Sequence, residues 1–351
     1  DAAYDRFDDG DELLATLELR DEVMRRVSTL AAYARMRSDE DTRDQDMQAL
    51  STRGQALSSE ASSAASFIDP AVQSLDRDEL DAMIESTEGL SEYAHYLHDV
   101  LRMKPHTRSA EVEELLSELG EVLGAPGDIY SMLTNADMTF PEIETPDGEA
   151  IEITQSNFTN LLKRPDRAFR QSVHEAFYDE LGEVRNTVGA SLKNSVKTDV
   201  KVARARDYDT ARGAAMDGPN IPVEVYDNLV DTVRTNLDTL HRHADLKRDA
   251  LGVDELQMWD LYVPMVESES PTVEYADARD HVVEALAPLG DDYQSRVADG
   301  LDSRWVDVYE NRGKRSGAYS GGTYDTQPFI LMNYQDDIAS MYTLAHELGH
   351  S

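Results

Sequence analysis

The segment PFILMNYQDDIASMYTLAHELGHS, residues 328–351, decides the fold expected at the end of this chain. Aromatic and apolar residues fill the run from Phe329 to Tyr334, which favours a buried or half-buried β-strand. Asp336 or Asp337 can then accept a hydrogen bond from the first turn of a helix and so define where that helix begins. The segment therefore predicts a strand that leads directly into a helix carrying the pattern H-E-x-x-H.

The two histidines of that pattern, His346 and His350, project from one face of a helix because they lie four residues apart. Both imidazoles can then bind one zinc ion, for which nitrogen ligands lie at about 2.0–2.1 Å. Glu347 follows the first histidine, where a carboxylate can take a proton from activated water and pass a proton to a leaving amine. The pattern thus indicates zinc-assisted peptide hydrolysis with one ion per active site. The alternative is a coincidence on a surface or core helix; the small and apolar neighbours of the histidines favour a helix buried beside a cleft.

Most of the remaining sequence predicts helix, because apolar residues recur at close to a 3.6-residue period. The predicted helices cover residues 11–37, 44–67, 76–88, 91–102, 109–123, 165–206, 222–251, 272–287 and 291–302. A break is predicted at GAPGD, residues 124–128, and a β-hairpin at 138–154 around the turn residues Pro146, Asp147 and Gly148. Residues 256–266 are predicted to be extended, and the other β structure is expected within 317–334.

The predicted fold class is therefore mainly α: a large multi-helix body with a small β-hairpin and a short sheet next to the active-site helix. Residues 1–120 are expected to form an N-terminal helical region, and residues 121–351 a helical region that leads into the catalytic part. One continuous body is favoured over independent domains, because no low-complexity linker separates the two regions.

Charge is the most unusual property of the composition. The chain carries 70 Asp and Glu against 33 Lys and Arg, a formal net charge of −37. Such a surface repels nucleic acid and anionic membranes, so neither is an expected partner. Lysine is scarce and arginine dominates the basic residues. An acidic, lysine-poor surface around a patterned apolar core indicates a halophilic protein, adapted to very high salt.

Other features of the sequence bear on the cellular location of the protein and on the metal ligands that it offers. The absence of cysteine excludes disulfides and thiolate metal ligands. No apolar run approaches the roughly 18–20 residues that span a bilayer, and DAAYDRFDDG at the N-terminus is not a signal peptide. A cytoplasmic protein is the resulting expectation. His95 and His98 share a helix face, but no acid stands where a base is needed, so a solvated or packed pair is favoured over a second metal site.

Several segments together resemble one family. GKRSGAYSGGTYDTQPFILMNY, residues 313–334, followed by TLAHELGHS, residues 343–351, is similar to the oligoendopeptidase F family of zinc metallopeptidases, relatives of thimet oligopeptidase. The likeness continues upstream, in the same order, in YARMRSDEDT, LTNADMTFPEI, RPDRAFRQSVHEAFYDE and MWDLYVPMV. This resemblance implies a mostly helical, elongated molecule with a deep channel that admits short peptides and excludes folded proteins.

The resemblance also implies roles for individual residues. His346 and His350 match the family's first two zinc ligands, and Glu347 matches its catalytic glutamate. The PFILMNY strand matches the strand beside the active-site helix, where it is expected to hold substrate backbone by strand addition. Candidate substrate-binding residues on this strand and on the preceding cleft wall are Gly317, Tyr319, Phe329 and Leu331.

The sequence does not mark the third protein ligand that a catalytic zinc site requires. The resemblance implies a glutamate on a helix downstream of the motif, beyond Ser351. We therefore expect a fragment, cut at both ends, that is inactive alone. The alternative is a non-catalytic helical scaffold or binding module with a vestigial metal motif. The oligomeric state is left open by the sequence.

The composition predicts a stability that depends on salt. Screening should weaken the mutual repulsion of the surface carboxylates, because the Debye length falls to about 3 Å at 1 M salt. We expect the midpoint of thermal unfolding, followed by circular dichroism, to rise by several degrees or more between roughly 0.1 M and about 3 M KCl. An unchanged midpoint would exclude adaptation to high salt.

Overall fold

A computed structural model describes residues 6–266 and 271–351 of the chain. Within these ranges the fold is mainly α-helical with two small sheets, as the sequence predicts. The first helices are α1 (Gly10–Glu40), α2 (Gln45–Ala65), α3 (Ile68–Gln73), α4 (Arg77–Ser86), α5 (Ala94–Arg102), α6 (Ala110–Glu118) and α7 (Gly120–Met132). The later helices are α8 (Phe158–Leu161), α9 (Arg167–Glu183), α10 (Arg185–Ala205), α11 (Ala211–Asp217), α12 (Val223–Thr235), α13 (Leu237–Leu251), α14 (Tyr275–Ala285), α15 (Asp291–Asp302) and α16 (Ile338–His350). The strands are β1 (Glu142–Glu144), β2 (Ala150–Glu152), β3 (Val306–Tyr309), β4 (Tyr319–Gly321) and β5 (Phe329–Tyr334).

The N-terminal helices pack around an apolar cluster to which α1 contributes its first turns. Asp9 caps α1 by accepting a hydrogen bond from the N–H of Glu12, and Asp44 caps α2 with its own carboxylate. Leu13 and Leu17 lie one turn apart on α1 and are fully buried. They belong to one cluster with residues of α3, α4 and α5: Ile68, Val72, Leu80 and Leu97. The helices predicted over 11–37, 44–67, 76–88 and 91–102 are confirmed.

The predicted break at residues 124–128 is wrong. Helix α7 runs through these residues with Pro126 inside it, and the helical ladder is interrupted earlier, at Leu119. Proline removes one N–H from the ladder, but α7 packs against α10, where the Ser191 hydroxyl donates a hydrogen bond to the Pro126 carbonyl. This tertiary packing outweighs the local preference of glycine and proline for a turn.

Each of the two longest predicted helices is divided in two. The helix predicted over 165–206 forms α9 and α10, and the one predicted over 222–251 forms α12 and α13, separated at Asn236. The Asn236 side-chain amide donates to the Thr232 carbonyl at 2.8 Å, so it competes with the backbone N–H groups of the ladder. Gly252 ends α13 in the left-handed conformation, with φ 64°, as predicted.

Residues 256–266 are not extended, contrary to the prediction, and contain a short helical turn, Met258–Asp260. Asp260 stabilises this turn: it is fully buried and accepts hydrogen bonds from the Gln257 N–H and from the guanidinium groups of Arg167 and Arg170. Burial alone would raise the pKa of Asp260, but these hydrogen bonds outweigh it and lower the pKa to about 2. Ion pairs with α9 therefore decide a conformation that the apolar pattern of the segment does not reveal.

The β-hairpin predicted over 138–154 is confirmed. Strands β1 and β2 pair antiparallel, with Ile143 opposite Ile151. The connection closes through a 2.9 Å hydrogen bond from the Gly148 N–H to the Thr145 carbonyl, and Gly148 adopts φ 85°. Ile153, just beyond β2, enters an apolar cluster with the α9 residues Phe169, Val173 and Phe177.

The second sheet has the strand order β3–β5–β4. Strand β5 confirms the strand predicted from PFILMNY; β4 pairs with it antiparallel and β3 pairs with it parallel. The sequence prediction missed β3. Its four residues, Val306–Tyr309, carry too short an alternation to stand out, and its parallel partner is β5, which follows only after β4.

Helix α16 lies against one face of this sheet. Ile330 and Met332 on β5 are buried in one cluster with Leu344 and Leu348 of α16. Residues of α14 and α15 complete the cluster: Ala278, Val282, Val297 and Leu301. The strand and the helix that adjoin in sequence are therefore also packed together in space.

In the parts of the chain that the structure describes, no helix is both long and apolar enough to cross a membrane. The division near residue 120 stays a prediction; the interruption between α6 and α7 falls at that point.

Asp260 should be essential for stability. Asp260→Ala leaves the Arg170 guanidinium, which is 3% exposed, without its buried carboxylate partner. Removal of one member of a buried ion pair costs about 3–5 kcal/mol, so we expect a loss of that order in the free energy of unfolding measured in urea at neutral pH. Asp227→Ala is the matched control, because its ion pair with Arg212 is half exposed and should contribute less than about 1 kcal/mol.

The pH dependence of this effect provides an independent check. The folded pKa of Asp260, about 2, lies below the value of about 3.9 in an unfolded chain, so its contribution is fully present above the unfolded value. The contribution is lost as the pH falls towards the folded value. The difference in stability between the parent chain and Asp260→Ala should therefore shrink between about pH 5 and about pH 2. A difference that stays constant over this interval would contradict the role of the Asp260 carboxylate.

Candidate functional site

Helix α16 begins at a charged turn. Asp337 caps it by accepting a 2.8 Å hydrogen bond from the Ser340 N–H, whereas Asp336, the other predicted cap, precedes the helix with φ 51°. The Asp337 carboxylate also forms a 2.9 Å ion pair with Lys163. Burial opposes its charged form, but the contacts with Lys163 and Ser340 outweigh burial and lower the pKa of Asp337. The first turn of α16 is thereby tied to the segment between α8 and α9.

The three residues of the motif occupy different environments on α16. His346 and His350 are exposed, whereas Glu347 is only 7% exposed. Leu344 and Leu348 stand two positions before each histidine and are buried against the sheet. Residues two apart on a helix are separated by about 200°, so burial of the leucines directs both histidines to the open side.

The two imidazoles of the motif lie close together. Their Nε2 atoms lie 3.1 Å apart, and the ring planes are nearly perpendicular, at 84°. Two nitrogen ligands at 2.0–2.1 Å in a tetrahedral zinc site are about 3.3 Å apart, so the separation of the two Nε2 atoms is compatible with one shared ion. The Glu347 carbonyl accepts a hydrogen bond from the Ser351 hydroxyl, while no donor among the described residues contacts the Glu347 carboxylate.

Strand β4 lies beside the last turn of α16. The Ser351 hydroxyl, which caps that turn through the Glu347 carbonyl at 2.9 Å, is 2.8 Å from the hydroxyl of Ser320 on β4. The edge of the sheet formed by β4 therefore runs close to the turn that carries His350.

The first half of strand β5 is closed to strand addition, contrary to the expectation from the resemblance. Ile330 and Leu331 are already paired on both edges, with β3 on one side and β4 on the other. An added strand needs an unpaired row of backbone N–H and C=O groups. Within the described residues β3 and β4 are the outer strands of this sheet, and β4 is the one whose Ser320 contacts the end of α16.

Two of the predicted substrate-binding residues, Phe329 and Leu331, lie on the sheet face opposite α16. Side chains alternate along a strand, so these two point away from the face that Ile330 and Met332 present to α16. They line a cleft of about 650 Å³ whose other wall is α1, with Tyr33 and Met36 among its lining residues. The structure does not bring these two side chains together with the histidines.

The other two, Gly317 and Tyr319, belong to the segment that forms β4. Gly317 is exposed, and its carbonyl accepts a 2.8 Å hydrogen bond from Asn333. The Tyr319 hydroxyl donates to the Asp39 carboxylate at 3.0 Å. Burial and the nearby negative charge of Asp39 raise the pKa of Tyr319, so the phenol stays protonated and donates. The Tyr319 hydroxyl is therefore occupied by its contact with Asp39.

A third metal ligand is missing from the described residues. There, no group of three or more His, Asp or Glu side chains is placed to hold a metal ion. The His98 ring nitrogen lies 2.7 Å from the Asp81 carboxylate, and His95 is exposed, which agrees with the prediction of a packed or solvated pair.

Comparison with known families is decisive for identity. The model of peptidase family M3 matches residues 160–351, which include α16 and the three residues of the motif. The chain belongs to peptidase family M3. The model of oligopeptidase F matches residues 72–140 of the same M3 chain, and this confirms the resemblance to oligoendopeptidase F. Members of family M3 are generally metal-dependent peptidases.

Individual relatives of this M3 chain are oligopeptidases. It is 42% identical to oligopeptidase PepF of Bacillus subtilis over 98% of this chain and 51% of that protein. It is 36% identical to the group B oligopeptidase PepB of Streptococcus agalactiae over 98% of this chain and 57% of that protein. The crystal structure of oligoendopeptidase-F from Enterococcus faecium matches with a TM-score of 0.72 and 32% identity, over 84% of this chain and 55% of that one. The chain therefore spans little more than half the length of these relatives.

Sequence reasoning found the motif but missed two residues around it in this M3 fold. Asp39 contacts Tyr319 from 280 positions away, and Ser320 contacts Ser351 from 31 positions away. Neither has a local pattern that could have marked it, because each acts through a tertiary contact.

Proposed function

We propose that this M3 chain is part of a zinc-dependent endopeptidase that hydrolyses short peptides. The observation that carries the proposal is the pair of Nε2 atoms of His346 and His350, 3.1 Å apart, with the buried Glu347 between them on α16. This arrangement lies inside the region matched by the model of peptidase family M3. The relatives named oligopeptidase and oligoendopeptidase support short peptides as the substrate class.

The roles of the three residues follow from their chemistry. His346 and His350 would hold the ion through their Nε2 atoms. Bound zinc would supply a Lewis acid that polarises the scissile carbonyl and makes water more acidic. Glu347 accepts the proton of the attacking water on its carboxylate and passes it to the nitrogen of the leaving amine as the C–N bond breaks. No competing donor among the described residues contacts that carboxylate, which suits this role.

Substrate backbone would bind along the outer edge of β4. Main-chain pairing with an edge strand recognises an extended peptide largely independently of its side chains. The 2.8 Å contact between Ser320 and Ser351 places this edge beside the turn that carries His350, so a paired peptide lies next to the ion-binding nitrogens. Phe329 and Leu331 can contribute only to contacts in the cleft that faces α1.

The described residues supply only part of a catalytic zinc site. Such sites take three protein ligands, and within residues 6–266 and 271–351 the two histidines come together without a third His, Asp or Glu. We therefore propose that the third ligand comes from a part of the M3 fold outside residues 1–351. On this account residues 1–351 alone bind zinc weakly and cleave peptides at a negligible rate. Robust cleavage by residues 1–351 that a chelator abolishes would contradict it.

Zinc binding should depend on both histidines. In a calorimetric titration of residues 1–351 with zinc, we expect His346→Ala and His350→Ala each to weaken binding at least about tenfold, because each removes one of two ligands. His241→Ala is the matched control, since His241 is an exposed histidine on α13. Equal affinity in the parent chain and both site variants would remove this pair as the zinc ligands.

Glu347 should be needed for turnover but not for zinc binding. The test uses a fusion of residues 1–351 to the C-terminal remainder of Bacillus subtilis PepF, the 42% identical relative. Glu347→Gln preserves size but removes the base, so we expect kcat on a quenched fluorogenic peptide to fall by about 10²-fold or more. Zinc content, measured by atomic absorption, should stay at the level of the unsubstituted fusion. Retained turnover would exclude Glu347 as the base, and loss of zinc would assign it a role in metal binding.

A further inference from the structure

Strand β4 is held only weakly by its own sheet. It consists of three residues, Tyr319–Gly321, pairs with β5 on one side, and is followed by Gly322 with φ 146°. A short strand with one paired edge opens easily, because few backbone hydrogen bonds must break. Other contacts must therefore fix the position of this strand beside α16.

The segment before β4 is hydrogen-bonded to residues at the end of α1 and in the connection between α1 and α2. Thr42 donates to the Gly313 carbonyl from both its N–H and its hydroxyl, each at 2.7 Å. The Arg315 N–H donates to the Asp39 carbonyl at 2.9 Å. Three hydrogen bonds thus join a helix corner near the start of the chain to the segment that enters the strand.

The Asp39 carboxylate adds a hydrogen bond to the strand itself. It is 6% exposed and accepts a 3.0 Å hydrogen bond from the Tyr319 hydroxyl and a 3.4 Å contact from the Arg315 guanidinium. Arg35, one turn earlier on α1, lies over the Tyr319 ring at 5.7 Å. One buried side chain therefore contacts both the first residue of β4 and the segment that precedes it.

Two asparagines hold the same segment from other directions. Asn333 on β5 donates to the carbonyls of Gly317 and Arg315 at 2.8 and 3.0 Å. The side-chain oxygen of Asn135 accepts from the Ser316 N–H and hydroxyl at 3.1 and 3.0 Å. Both asparagines therefore contact residues that precede the strand. The hydroxyl of Tyr319, in the strand itself, is hydrogen-bonded to Asp39.

We propose that Asp39 is a positioning residue: by holding Tyr319 it fixes β4 beside the last turn of α16 and so sets the peptide-binding edge from helix α1. The part of this inference that concerns peptide binding rests on the proposed function. The part that concerns the position of β4 does not, because it follows from the contacts of Asp39 alone.

The test for the position of β4 is hydrogen exchange, followed by mass spectrometry, in residues 1–351 with zinc present. Asp39→Asn keeps the size of the side chain but removes its charge, and Tyr319→Phe removes only the donor. We expect each to speed exchange of the amides of 319–321 by about tenfold, the loss of one charge-assisted hydrogen bond, with no further increase in the double variant. Exchange in α16 should stay unchanged.

The matched control is Asp325→Asn. Asp325 pairs with Arg25, so it also joins α1 to the loop that follows β4, but this pair is half exposed. A surface pair contributes little, so exchange at 319–321 should change by less than about twofold. Unchanged exchange in Asp39→Asn, or faster exchange throughout the chain, would overturn the proposal, since the second result indicates general destabilisation.

Peptide binding provides the functional readout. With a fluorescently labelled short peptide and saturating zinc, Asp39→Asn should raise the dissociation constant by about fivefold or more while its zinc affinity matches the parent chain. An unchanged dissociation constant, or an equal rise in Asp325→Asn, would overturn the link from Asp39 to the peptide edge. Peptide binding absent from every chain, the parent included, would count against the proposed function, and the exchange measurement would then decide the role of Asp39 by itself.

Discussion

The packing of α16 against β5 is the contact on which the candidate site depends. Leu344 and Leu348 are buried against the sheet, and an α-helix turns by about 100° per residue. Burial of these two leucines therefore decides where every other residue of the helix points. The histidines two positions later face the open side, and Glu347, between the two directions, is buried next to them. The same apolar contact that stabilises the helix thus also sets the directions of His346, Glu347 and His350.

The chain is strongly acidic and has few lysines, yet some of its cationic side chains lie in the interior. Two of the scarce lysines, Lys247 and Lys314, are buried and donate to backbone carbonyls at 2.6 and 2.7 Å. Burial lowers the pKa of both. Arginine serves where a carboxylate must be satisfied inside the protein, as at Asp260, because a planar guanidinium donates several fixed hydrogen bonds at once.

The errors in the sequence-based fold share one physical origin. The interruption at Asn236, the turn at Met258–Asp260 and the helix through Pro126 each depend on a specific hydrogen bond or on packing that a periodic pattern does not encode. Strand β3 was missed because it is short and pairs with β5 across the intervening β4 segment and not with an adjacent strand. The helices predicted over 11–37, 44–67, 76–88 and 91–102 and the hairpin around Gly148 were predicted correctly, because their hydrogen bonds connect near neighbours.

The sequence by itself determined the mainly helical class, the strand–helix unit at residues 328–351, and the spacing that puts His346 and His350 on one face. Such features depend on backbone hydrogen bonds between residues a few positions apart, so local residue types suffice to specify them. The tertiary structure decided that β5 is a central strand, that β4 is the edge beside α16, and that Asp39 holds Tyr319. These features depend on which distant segments meet, and they are settled only when the apolar faces of the whole chain pack together.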